Sequence, residues 1–300
     1  MKFFLKISFI ICFALSAMVF VLNDYLSGYV DVHYNQFLAE SNSLVIGSSR
    51  AHFAVDPSHF KEHSEMLNFA MTGDRSPYGP LYNKAIKKKI EAKDGEKGLF
   101  ILEMNPFTLS REKVNEDDDP ARFVENKYCL GSQVIMNMNP NYEYILRNLT
   151  PLYEVPTGRV PGNGNILVHK NGWVEFSLDM SPKANEGRTK FKMDEYRKLV
   201  LKQCPSELRI KCFKELITYL KQYGDVYLVR LPVGNEMYEL ENKYWPGFEE
   251  WIKAIADSSQ VTYFNLQNDF PNPITIDGNH LIPSEAQVVS ALLHSKIIAK

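Results

Sequence analysis

Four cysteines in 300 residues are too few for a disulfide framework. Cys12 lies in an apolar run, and the spacing of Cys129, Cys204 and Cys212 matches no zinc pattern. Cys204 and Cys212 are placed to pair in an oxidising compartment; otherwise the thiols only pack. Charge of one sign is missing too: 34 Lys and Arg stand against 36 Asp and Glu, a formal net charge of −2. So even a balance supplies no field to hold nucleic acid, and that class of partner is set aside. Internal repeats and low-complexity tracts are absent. The histidines of "HFAVDPSHFKEH" (His52, His59, His63) share no helix face, because Pro57 interrupts the segment. Neither a metal nor a cofactor is expected.

One long apolar run is present. "MKFFLKISFIICFALSAMVFVLNDYL" carries Lys2 and Lys6, then 16 uncharged residues from Ile7 to Leu22. With Phe3 to Leu5 this approaches the ~20 residues that cross a bilayer. A cleaved signal peptide has a shorter apolar core and a small-residue cleavage site, for which "ALSAM" is poor. The expectation is an uncleaved membrane anchor over residues 1–28, with a signal peptide or a buried helix as alternatives. Lysines ahead of the span place the amino terminus in the cytoplasm, and the following domain, residues 40–300, outside the cytoplasmic membrane.

Beyond the anchor, strand and helix signals alternate, which is the pattern of an α/β layer fold. "SLVIGSS", "EMLNFAMTGDRS", "GLFILEMNPF", "DVYLVRLPV" and "VTYFNLQ" read as five strands. Helical spacing runs over Tyr78–Ile90, 249–257, "SELRIKCFKELITYLKQYG" and the closing "IPSEAQVVSALLHSKIIA". Ser206 caps the third of these and Gly224 stops it. The prediction is a flavodoxin-like three-layer α/β/α sandwich. Residues 111–200 break the rhythm and form an insertion, either a lid over a site or a packing excursion. Within it "ILVHKNGWVEFSL" reads as a hairpin, with Asn171-Gly172 as a type I′ turn.

"LVIGSSRAHF" ends the first strand where an open parallel sheet binds its ligands. Its serines suit either of two tasks, capping the following helix or attacking a substrate. A serine nucleophile needs an oriented base, and "ITIDGNHLIPSEAQ" places Asp277 and His280 three residues apart after the last strand. An oxyanion needs donors: the backbone N–H of Ser49 and of Gly73, and the side chain of Asn105, all close strands at the same edge. Arg50 either binds substrate or pairs with Asp56 or Asp74. Trp173, beside the hairpin turn, is a candidate platform for a sugar ring.

These blocks resemble the SGNH (GDSL-type) hydrolase superfamily. "VIGSS" is similar to its first block, with Ser49 as nucleophile and Ser48 replacing the usual Asp. "NFAMTGDRS" is similar to the second, with Gly73 in the oxyanion role, and "DGNHL" to the last, with Asp277 and His280. "EMNPF" departs from the family's Gly-x-Asn-Asp at Asn105. The resemblance covers residues 43–110 and 206–298. It implies an SGNH fold and a cofactor-free esterase or O-acyltransferase acting on acylated cell-envelope polysaccharide, beside a membrane-bound acyltransferase. A non-catalytic glycan-binding or scaffold member is the alternative, and a plain lipase or thioesterase a third reading. The Gly-x-Ser-x-Gly elbow of α/β-hydrolases is excluded, because that fold needs several strands ahead of its nucleophile.

Overall fold

A computed structural model describes residues 2–29, 37–39, 41–70, 77–91, 97–114, 135, 138, 141–147 and 166–300. The chain divides into two compact units. The smaller, Met1–Ala39 with Gln133–Gly164, holds helix α1 (Lys2–Tyr29) and a stacked pair of buried rings, Phe37 and Tyr144. The α1 side chains over residues 3–18 are all exposed, and all but Lys6, Ser8 and Ser16 are apolar. Among the described residues no helix is long and apolar enough to cross a membrane.

The larger unit, Glu40–Ser132 with Asn165–Lys300, carries the sheet and the site. In chain order it runs β1 (Leu44–Ile46), α2 (Ser49–Ala54), β2 (Leu67–Asn68), α3 (Pro80–Glu91), β3 (Gly98–Glu103) and β4 (Ser110–Glu112). After a helix of the smaller unit, α4 (Tyr142–Arg147), come β5 (Ile166–Val168), β6 (Val174–Phe176), α5 (Pro182–Lys202), β7 (Gln203–Pro205), α6 (Glu207–Leu220) and β8 (Gly224–Arg230). The chain closes with α7 (Asn235–Tyr244), α8 (Phe248–Ser259), β9 (Thr262–Asn265), α9 (Leu266–Asp269) and α10 (Pro283–Ile298).

The five central strands are all parallel and lie in the order β2-β1-β3-β8-β9. Counted among themselves that is 2-1-3-4-5, a doubly wound order whose direction reverses beside β1. Central strands of such a sheet are covered on both faces and so read as apolar runs, which is why "GLFILE" and "YLVR" were legible. Alternate residues separate the faces: Val45, Leu99, Ile101 and Val229 pack with α2 and α10 residues such as Ala51, Ala54, Val289 and Leu293. Leu44, Ile46, Phe100, Leu102 and Leu228 alternate with them and are equally buried. A mixed α/β domain with a parallel sheet flanked by helices is therefore established.

Two local expectations need correction. Gly224 does not stop α6; that helix ends at Leu220, its Ser206 cap accepting from Arg209 N–H, and Gly224 opens β8 against the Gly98 backbone. The hairpin forms, but only Gly172 of its turn has positive φ (86°), so the turn is not type I′, which requires positive φ at Asn171 as well. Of the two alternatives for Cys204 and Cys212, the free thiols are the ones found. The insertion also has regular structure that its polar sequence concealed: α5, and β4 pairing antiparallel with β7 to close the insertion's base.

Candidate active site

The opening serines divide the two tasks between them. Ser48 is the N-cap of α2, its side chain accepting from Arg50 N–H at 3.3 Å, while its own N–H donates to Glu103 at 2.8 Å. Ser49 is the first residue of that helix and points its hydroxyl to His280 Nε2, at 2.8 Å. Gly47 is required by close approach: a Cβ there would stand 2.6 Å from Glu103 Cβ and 2.7 Å from Ala51 Cβ. The amide of Ser49, in the first turn of α2, has no acceptor among the described residues, as expected of a helix N-terminus.

His280 and Asp277 share a tight loop. Gly278 takes positive φ (82°), and its carbonyl accepts from Gly234 N–H at 2.9 Å. That turn brings the Asn279 and His280 amides back onto Asp277 Oδ1, at 3.0 and 2.9 Å. The same carboxylate meets His280 Nδ1 at 2.9 Å through Oδ2. Burial pushes the Asp277 carboxyl up, but the His280 ring and the two loop amides outweigh it and hold the group down at about 2. An ionised Asp277 fixes the Nδ1–H tautomer and leaves Nε2 as the acceptor for Ser49. Ser49, His280 and Asp277, 231 residues apart at the extremes, thus form one hydrogen-bonded relay.

The insertion supports this loop. From α5, Asn185 Nδ2 donates to the Thr275 and Ile276 carbonyls (2.8 and 2.9 Å), and Arg188 Nε to Ile276 O at 3.0 Å. The hairpin supports the other side: Trp173 Nε1 donates to Phe53 O at 2.8 Å, and Phe53 lies between the Phe176 and His280 rings (4.7 and 5.0 Å).

The remaining site expectations divide. Arg50 is 3 % exposed and pairs not with Asp56 but with Glu241, 0 % exposed, which Arg230 holds from the other side at 2.9 Å. Burial pulls the Arg50 guanidinium down, and Glu241, with weaker help from Tyr196 and Glu103, raises it above its ordinary value. Asp56 instead receives Ser58, Asn171 and Gln287, while Asp74 lies outside the described residues. Trp173 is 3 % exposed and stacks on His169, so it offers no sugar platform. Asn105 is brought to the sheet edge but not turned to the serine. Its Nδ2 donates to Glu103 at 2.6 Å, and its Oδ1 caps the turn at Phe107 and Thr108. Gly73 lies outside the described residues.

Sequence reasoning passed over Glu103, Glu241, Arg230 and Asn279. The signal for the first and third was present: each is a charged residue at the end of an apolar stretch of a central strand, a position charge occupies only when paired. Among the described residues no group of three His, Cys, Asp or Glu could hold a metal ion. No family model, curated protein or solved structure matches the chain.

Proposed function

We propose that the protein is a serine esterase or O-acyltransferase, anchored in the cytoplasmic membrane with its site outside the cytoplasm. The observation that carries this reading is the Ser49–His280–Asp277 relay, 2.8 and 2.9 Å between successive partners, at the carboxyl edge of a parallel sheet. Ser49 Oγ attacks the acyl carbonyl as its proton passes to His280 Nε2. Asp277 stabilises the resulting imidazolium, and the Ser49 amide faces the developing oxyanion. The leaving alkoxide takes the proton back, and water or a second hydroxyl resolves the acyl-enzyme. Resemblance to the SGNH superfamily supports an acylated envelope polysaccharide as substrate, with a membrane-bound acyltransferase as working partner. The uncharged stretch from Ile7 to Leu22 behind Lys2 and Lys6 is the sequence feature that supports the anchor.

A second reading is favoured by the apolar wall of Phe53 and Phe176 beside His280: a lipase or thioesterase taking a longer acyl chain. A third, a non-catalytic glycan-binding or scaffold protein, is favoured by the engaged amide of Asn105.

Turnover of p-nitrophenyl acetate and octanoate by the full chain in detergent separates them. Wild type should hydrolyse acetate, with Ser49→Ala and His280→Ala reduced about a million-fold or to background. A strong preference for octanoate favours the second reading. Wild-type turnover no faster than the two variants, with no fluorophosphonate label on Ser49, sinks both enzymatic readings and leaves the third.

A further inference from the structure

One polar side chain at the reacting edge has no part in the relay. Asn279 is buried between the helix that bears Ser49 and the loop that bears His280. Arg50 Nε donates to its Oδ1 at 2.8 Å, and a guanidinium can only donate. That contact fixes which way the carboxamide faces: Nδ2 is the atom turned to His280 Nε2, at 3.1 Å. Arg50 is itself immobilised by Glu241, and Glu241 by Arg230, so the amide is held by a buried chain of charges. With Nδ1–H committed to Asp277, Nε2 accepts from two donors, the Ser49 hydroxyl at 2.8 Å and this amide. The second N–H of Asn279 has no acceptor among the described residues.

We infer that Asn279 is a catalytic residue, the side-chain oxyanion donor, in the role the sequence suggested for Asn105. The inference rests on the serine-esterase reading above. In the attack the Ser49 Oγ–H bond breaks and its proton goes to Nε2. The Oγ–C bond forms, and the carbonyl π pair moves onto the substrate oxygen. Nε2 then carries a proton and accepts nothing, so the Asn279 amide loses its resting partner as a negative oxygen appears beside it. A donor released at that step binds the transition state better than the ground state, which is what lowers a barrier. When the adduct collapses, the leaving oxygen takes the Nε2 proton and the amide returns to Nε2.

The test uses the full-length protein in detergent. Asn279→Ala removes the side chain, while Asn279→Asp keeps an oxygen for Arg50 Nε and lacks the donor. Both should lower kcat for p-nitrophenyl acetate by about 100-fold or more with little change in KM, the loss typical of one oxyanion donor. Either variant, folded by circular dichroism and turning over within about threefold of wild type, overturns the inference while leaving the esterase reading intact. Should both variants unfold, the structure of wild type inhibited with diisopropyl fluorophosphate decides. There the phosphoryl oxygen on Ser49 stands in for the oxyanion. Asn279 Nδ2 within hydrogen-bonding distance of that oxygen supports the role, and Nδ2 still on Nε2 overturns it. A wild type that neither turns over nor takes the label on Ser49 defeats the esterase reading, and this inference with it.

Discussion

Asp277 shows how one side chain couples the proposed chemistry to stability. Its carboxyl is held at about 2 in the fold against an ordinary 3.8. A carboxylate depressed in this way stabilises the fold above its ordinary pKa and loses that contribution as pH falls through the folded value. Asp277→Asn should therefore lower stability by about 2 kcal/mol at neutral pH. In urea titrations the gap to wild type should narrow as pH drops from 3.8 toward about 2. A gap that stays constant over that window would show that Asp277 is not held ionised by the loop. The same variant should reduce kcat about 10⁴-fold, because an amide no longer selects the Nδ1–H tautomer. At this scale Ser48 and Ser49 also separate: one hydroxyl closes a helix, and its neighbour reaches the base.

At the scale of elements, the first strand and its helix work because β3 comes close to them. Gly47 is pressed between Glu103 and Ala51, and Glu103 uses the proximity to bind the Ser48 amide at 2.8 Å. Gly47→Ala should force β1 and β3 apart, with a loss of about 1–3 kcal/mol in chemical denaturation. A loss well under 1 kcal/mol would mean that the backbones of β3 and α2 give way at little cost. The insertion matters here as well. Its helix α5 binds the carbonyls ahead of Asp277, and its hairpin fixes Phe53 beside His280, so the segment between β4 and β7 braces the loop that bears His280.

Across the larger unit, the fold depends on a buried chain of charges. Arg50, Glu241 and Arg230 come from α2, from α7 and from the end of β8, and none is more than 3 % exposed. Removing Glu241 leaves Arg50 buried without its ion-pair partner and Arg230 with the longer ion pair to Glu249 at 3.4 Å, which costs more than the set contributes over an apolar core. Glu241→Gln should therefore lower the unfolding free energy by about 3–5 kcal/mol in urea, far beyond what a surface pair is worth. A loss below about 1 kcal/mol would show that water reaches the guanidinium groups after all. The chain joins the sheet's edge to the loop bearing His280, so this variant also loosens the grip of Arg50 on Asn279.

What the sequence by itself determined was whatever depends on neighbours along the chain. Central strands announced themselves as apolar runs, because a strand covered on both faces has no polar side. Ser206 declared a helix start, and "DGNH" declared a loop able to fold a carboxylate onto an imidazole, since the three-residue spacing is a local property. The α5 helix stayed hidden because it packs by few apolar side chains, with Met193 its buried one, and shows little periodicity. Tertiary structure alone decided the partners. Arg50 pairs with a glutamate 191 positions away rather than with the nearby Asp56, and Asn105 turns to Glu103 rather than to the serine. Trp173 lies inside the packing rather than over a cleft. Each of these outcomes is a competition among groups that folding brings together from distant parts of the chain. Burial settles such contests by penalising whichever polar group is left unpaired, and spacing along the chain carries no trace of that penalty.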